Sequence, residues 1–335
     1  MAERRARQEG KLKVEFQGAK YEATLQSQGT PTGERGVLSF LLITKTVRTL
    51  EDLGMREKMR EQLKELLSNG QKGLVVFSSM PGDGLTAIWT AALKATDRLM
   101  RDFVIIEVED DHEPDVENIA VVMYKPAAGE SPDKKLPGII LKQPEVILVP
   151  EVPNGETLRI LCEQIEDGKL CIVSTRAKEA PDALLRLLAL KPPQEQFGPA
   201  VNAVLYVRLI RKLCEVCREA VQPTPELLQK LGIPAGRVQT LYREKQPPVP
   251  GQEKKKGEPE ICPNCRGLGF RGRTGIFELL VADDKVRQVL VKQPKLDLLK
   301  QAARQAGNRT LQEEGVLLVA LGVTSITELQ RVLKQ

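Results

Sequence analysis

Four short apolar runs, at 74–77, 103–106, 146–149 and 170–173, are each followed by a loop and a stretch of helical period. Such runs are too brief for helices, and their branched residues suit strands buried on both faces. Strands alternating with helices give an α/β fold whose mainly parallel sheet is covered on both sides. Ligands of such sheets sit at the carboxyl ends of the strands, so the loops after these runs are where chemistry is expected.

The flanking segments read differently. Lys11–Phe16 and Tyr21–Leu25 alternate apolar with polar residues, as half-buried antiparallel strands do, and Thr30-Pro-Thr-Gly33 reads as a turn. Leu50–Leu67 carries leucine and methionine at helical spacing, predicting one or two amphipathic helices that close at Asn69-Gly70. From Thr224 a helical segment leads into Gln246–Gly257, rich in proline, glycine and charge, which predicts an exposed insertion. Asp283–Gln335 is helical by period, with breaks expected near Gly307, Gly315 and Gly322.

At 335 residues, 41% apolar and 28% charged, the chain can bury two or three cores. No apolar run reaches membrane-spanning length and none follows the charged start, so a cytoplasmic location is expected. The net charge of +5 is interleaved rather than clustered, and aromatics make up 4%, which argues against a nucleic-acid partner.

After the first run stands Phe77-Ser-Ser-Met-Pro-Gly-Asp-Gly-Leu-Thr-Ala-Ile88, in the strand–glycine loop–helix order by which backbone N–H groups and a helix N-terminus cradle phosphate. Gly82, Asp83, Gly84 and Thr86 are the candidate nucleotide-binding residues. The pattern G-x-x-x-x-G-K-S/T would place its first glycine at Ser79 and its lysine at Leu85. Leucine removes the cation that bridges the outer phosphates, an interaction of about 1.5–3 kcal/mol, and Asp83 adds a negative charge to the loop.

Cys214-Glu-Val-Cys217 and Cys262-Pro-Asn-Cys265 form two C-x-x-C pairs, the second followed by Arg266-Gly-Leu-Gly269, whose glycines let backbone N–H groups approach sulfur. Four thiolates suit closed, tetrahedral, structural zinc that ties the ends of the insertion together; iron and a redox dithiol are the competitors. Cys162 and Cys171 lie in apolar patterns and read as packing residues.

The order of these segments resembles the motor ATPases of type II secretion and type IV pilus assembly over nearly the whole chain. Thr30–Arg35 is similar to that family's P-T-x-x-G-E-K, and Leu50–Gly54 to its L-x-x-L-G. Ile105-Ile-Glu-Val-Glu-Asp-Asp-His-Glu113 resembles its acidic box, keeping Glu109, Asp110 and Glu113, with Asp111 where proline is usual. His112, the sole histidine, is given no catalytic role. Leu141–Val152 resembles the Walker B segment, with Glu151 at the catalytic glutamate, while the aspartate before Pro144 is missing, Pro150 replaces glycine and Pro153-Asn154 replaces arginine-aspartate. Gly168–Ala180 resembles the histidine box, with Lys169 and Arg176 in place of both histidines. Val207–Cys214, Arg273–Leu280, Thr310–Gly315 and Leu321–Ser325 resemble later landmarks.

The resemblance implies a RecA-like P-loop NTPase core (46–210), preceded by the remnant of a small α+β domain (1–45) and followed by a tetracysteine zinc region (211–275) and a helical region (276–335). It implies Glu151, Glu109 and Asp110 as catalytic acids, ATP and magnesium as ligands, and a hexamer, uniform or mixed with an active paralogue, working on an inner-membrane platform protein. The long N-terminal docking domains of the family are expected to be absent. Joint loss of the P-loop lysine and both histidines predicts weak or no hydrolysis and a structural or regulatory subunit. Two alternatives stand beside it: an active motor using Glu151, with Lys169, Arg176 or a neighbour's arginine supplying charge, and a zinc-containing interaction module without nucleotide.

Overall fold

The computed structural model describes residues 6–16, 19–30, 33–42, 48–68, 70–110, 113–234, 236–245 and 261–334, in two units, 1–47 and 48–335. In the first unit β1 (Gln8–Phe16), β2 (Ala19–Thr30) and β3 (Gly33–Leu42) pair as an antiparallel meander. Register sets Leu12, Ala23 and Phe40 abreast on one face and Lys11, Thr24 and Ser39 on the other, the period-2 pattern the sequence predicts. Thr30 pairs with Gly33 across the expected turn, whose Pro31 and Thr32 lie outside the described residues. Among the described residues this unit has no helix.

The second unit opens with α1 (Glu57–Leu67), then runs β4 (Gly73–Ser79), α2 (Leu85–Lys94), β5 (Phe103–Val108), β6 (Ile119–Tyr124), α3 (Pro132–Ile140), β7 (Val146–Val149) and α4 (Gly155–Glu166). There follow β8 (Leu170–Arg176), α5 (Ala180–Ala189), α6 (Gln194–Ala200), β9 (Val201–Leu213), β10 (Glu219–Val221), α7 (Pro225–Lys230), β11 (Leu241–Arg243) and β12 (Phe270–Val281). Helices α8 (Asp284–Lys292), α9 (Leu296–Gln305), α10 (Leu311–Ala320) and α11 (Ile326–Lys334) close the chain.

The four apolar runs are β4, β5, β7 and β8, which lie inside a seven-stranded sheet of order β12-β9-β4-β8-β7-β5-β6. Every neighbouring pair is parallel except β12 with β9. Side chains alternate between two layers. Leu74 and Val76 join Leu158, Leu161, Leu184 and Phe197 on one face; Val75 and Phe77 join Leu63, Ile88 and Trp89 on the other. The Phe77 and Trp89 rings meet edge-on at 5.6 Å. Each such side chain, withdrawn from water, contributes about 1.5–3 kcal/mol, so the two layers hold the sheet as a rigid platform for its loops.

Tertiary contacts change two expectations. The boundaries at 210 and 275 fall inside β9 and β12, whose long antiparallel ladder belongs to the central sheet, so they do not divide the fold. Gly315 does not break a helix but lies within α10, where an added Cβ would stand 2.3 Å from Leu329 Cδ1. Gly307 and Gly322, at φ 80° and 70°, do follow the ends of α9 and α10. The insertion expected at 246–257 lies outside the described residues.

Candidate nucleotide site and metal centre

Parallel register brings the candidate residues to one edge of the sheet. Ser79 ends β4 opposite Arg176 of β8, Val149 of β7 lies opposite Val173, and Leu148 opposite Ile105 of β5. Gly82, Asp83, Gly84 and Thr86 after β4, Glu151 after β7, and Glu109 and Asp110 after β5 therefore share the carboxyl end. Asp111 and His112 lie outside the described residues.

Gly82 and Gly84 have φ of 81° and 88°, the left-handed region that favours glycine, and Gly84 caps α2 without a side-chain hydrogen bond. Thr86 Oγ1 donates to Glu113 Oε1 at 3.4 Å, joining the loop to the acidic segment. Glu113 N–H in turn donates to the buried Glu107 Oε1 at 3.4 Å. Glu109 pairs with Lys125 at 2.8 Å. Ser174 Oγ donates to the Pro150 carbonyl, fixing the turn that leads to exposed Glu151. Burial first, and the Glu151 charge second, push the Tyr124 hydroxyl up from its ordinary value.

At the lysine position, Leu85 is 6% exposed and packs in the layer of Phe77 and Trp89. Asp83 is turned toward β9: its Oδ2 lies 3.3 Å from Arg208 Nε, and its Oδ1 accepts the Leu209 N–H at 3.2 Å. The acid that the sequence places in the loop is thus ion-paired within the fold. The two replacement cations separate. Arg176 ends β8 beside Ser79, whereas Lys169 precedes β8 and accepts the Gly73 N–H through its carbonyl, at the opposite end of the sheet. The length of β8, seven residues at about 3.3 Å each, separates Lys169 from the end where Arg176 stands, so Lys169 is not placed to offset charge at the glycine loop.

Sequence reasoning missed Arg208 and Glu278. Both are charges inside apolar strands, at 8% and 7% exposure, and that interruption of pattern is the signal that could have found them. Glu278 accepts the Ala180 N–H at 3.1 Å. Burial, which outweighs that bond and is reinforced by Glu179, pushes its carboxyl up to about 7. Tyr206, opposite Glu278 on β9, is likewise pushed up by burial.

The β9–β12 ladder also builds a candidate metal centre. Leu213 pairs with Phe270, so Cys214 leaves one strand where Gly269 enters the other, and the Cys214 N–H donates to the Gly269 carbonyl at 2.9 Å. The Sγ atoms of Cys214, Cys217, Cys262 and Cys265 all lie within 4.8 Å of one another. Cys214 and Cys262 are 3.9 Å apart and Cys217 and Cys265 3.5 Å, close to the separation of thiolates about 2.3 Å from a common tetrahedral ion. Gly269 N–H donates to Cys265 Sγ at 3.3 Å and Asn264 Nδ2 to Cys214 Sγ at 3.2 Å. Burial opposes ionisation of Cys214, but the Asn264 bond and backbone N–H groups bring it down to about 6. An added Cβ at Gly269, φ 72°, would meet Glu244 Cβ at 2.8 Å. This donor set fits a closed zinc centre. Cys162 and Cys171 are buried, and burial pushes the Cys162 thiol up to about 12, in keeping with packing roles.

Comparison with known proteins agrees with this geometry. The chain is 30% identical over 338 residues to the type II secretion system protein E of Dickeya dadantii, covering all of this chain and 63% of that protein. It is 29% identical over 328 residues to the type IV pilus assembly ATPase PilB of Thermus thermophilus, covering 98% of this chain and 35% of that protein. It thus spans between about a third and two thirds of these relatives' length. Its fold is similar to that of the Legionella pneumophila ATPase DotB, with a TM-score of 0.59 at 11% identity over 98% of this chain and 78% of that one. Residues 1–331 match the family model described as Type II/IV secretion system protein, and the chain belongs to that family.

Proposed function

We propose that this chain is a divergent motor-ATPase subunit with weak or no ATP hydrolysis, acting as a structural or regulatory part of a type II secretion or type IV pilus machine. The observation that carries this reading is Leu85, buried against the core where a P-loop lysine would reach the phosphates. Gly82, Gly84 and Thr86 would serve as a phosphate cradle, Glu151 as an acid at the same end of the sheet, and Glu109 and Asp110 as candidate magnesium-side carboxylates, Glu109 already engaged by Lys125. Magnesium-bound ATP would supply the scissile phosphoanhydride; the residues present favour holding it over cleaving it. Cys214, Cys217, Cys262 and Cys265 hold structural zinc. In this reading the chain assembles into a hexamer, alone or with an active paralogue, and engages an inner-membrane platform protein at the cytoplasmic face, which membership of the family supports. Among the described residues no helix is long and apolar enough to cross a membrane.

Steady-state hydrolysis and equilibrium binding of ATP test the proposal. Binding without magnesium-dependent turnover is expected. Turnover that disappears in Glu151→Gln would establish the active-motor alternative, for which Arg176 beside Ser79 is the cation best placed. Absence of any nucleotide-induced stabilisation would leave the zinc-containing interaction module.

A further inference from the structure

Away from the cysteines, a cavity of about 270 Å3 lies between the α5 N-terminus, β9, β12, α9 and the start of α10. Its lining includes five cations, Lys178, Arg208, Lys300, Arg304 and Arg309, against two acids, Glu179 and Glu278. Lys300 pairs with Glu179 at 2.7 Å and Arg309 lies 3.7 Å from Glu314, while Lys178 and Arg304 have no ion-pair partner among the described residues. The Arg208 side chain is 9% accessible, and its Nε, although 3.3 Å from Asp83, finds no hydrogen-bond acceptor. Buried guanidinium N–H groups are costly to leave unsatisfied. Thr310, Leu311 and Gln312, the start of α10, complete the wall, its end closed by the capping box of Thr310 and Glu313.

A second cavity, of about 640 Å3, adjoins the first and shares Arg304, Asn308, Arg309 and Gln312 with it. Its remaining wall carries aliphatic side chains, among them Leu231, Ile233, Val316 and Leu317, with one further cation, Arg237, and one acid, Glu313. We propose that the two cavities form one binding site for a small phosphate ester, with its phosphate among Lys178, Arg208 and Arg304 and its less polar remainder in the larger cavity. A compact, multiply charged oxyanion matches this lining because several guanidinium and ammonium groups converge on a space too small for a bulkier head. Glu278 at the wall is compatible with an anion, since its protonated form donates a hydrogen bond. Arg208 links this site to the glycine loop through its ion pair with Asp83.

The full chain is titrated with inorganic phosphate, adenosine monophosphate and octyl phosphate, reading affinity by calorimetry and melting temperature. Saturable binding is expected, with at least one ester bound about tenfold or more tightly than inorganic phosphate. The two esters distinguish a nucleoside from an alkyl body. Lys178→Glu combined with Arg304→Glu, both exposed positions, should lower the affinity about tenfold or more, whereas Thr86→Ala should leave it unchanged. Ala320→Arg, which fills the larger cavity, should remove the preference for the ester while phosphate still binds. No saturable binding at millimolar concentration, equal affinity in the double variant, or loss of binding in Thr86→Ala would each overturn the assignment.

Discussion

Asp83 of the phosphate loop and Arg208 of β9 form an ion pair at 3.3 Å whose side chains are 17% and 9% accessible. The loop is thereby fastened to the strand beside β4, and its acid is directed into the fold. Breaking such a pair leaves a desolvated cation. Asp83→Asn is expected to destabilise the protein by about 3 kcal/mol, and adding Arg208→Leu to restore much of it. Urea unfolding measures both; a single-variant loss below about 1 kcal/mol would mean the pair is idle.

Leu85 holds an apolar place where the family resemblance puts a lysine. Leu85→Lys returns a cation to the loop, and one charge-assisted bond of about 1.5–3 kcal/mol corresponds to a tenfold or greater gain in ATP affinity. Fluorescent-nucleotide titration reads this. No gain would show that the leucine is not what limits binding.

The tetracysteine centre should carry one zinc per chain, lost in Cys262→Ser and under strong chelation. Because the four sulfurs sit beyond the end of the β9–β12 ladder, metal loss is expected to lower the melting temperature while sheet circular dichroism persists. Metal analysis by mass spectrometry, run beside the melts, checks both; iron in place of zinc would revise the assignment.

Glu278 makes stability depend on pH near neutrality. Its folded carboxyl is pushed up to about 7 by burial, from an ordinary value of 4.5, so between these values the native state holds a proton that the unfolded chain has released. Stability from this group is full below pH 4.5 and is lost as pH rises through 7, by about 3 kcal/mol in all. Glu278→Gln should flatten that fall, seen in urea unfolding at a series of pH values. An unchanged slope would assign the effect elsewhere.

Gly155 opens α4, where alanine would ordinarily be favoured by up to about 1 kcal/mol. Here an added Cβ would lie 2.2 Å from the Leu190 carbonyl oxygen, a backbone atom that cannot rotate away. Gly155→Ala is expected to destabilise by about 1–3 kcal/mol, the usual cost of overpacking. Thermal melts showing stabilisation would refute the close approach.

How much of this was legible beforehand follows from how far each cause reaches along the chain. The apolar runs, the glycines after β4 and the spacing of the cysteines act over a few residues, and they specify β4, β5, β7, β8, the glycine turn and which cysteines come together. The pairing of β9 with β12 joins residues 57 to 78 positions apart, and no local period encodes it.

By itself, then, the order of residues determined the parallel sheet, the place of the glycine loop and the pairing of two C-x-x-C segments, since period and spacing are local. Tertiary structure alone decided that Asp83 meets Arg208, that Lys169 stands at the far end of the sheet from Arg176, and that Glu278 is buried beneath α5. The physical reason is that charge and burial depend on neighbours in space, and those neighbours come from segments the chain brings together only when it folds.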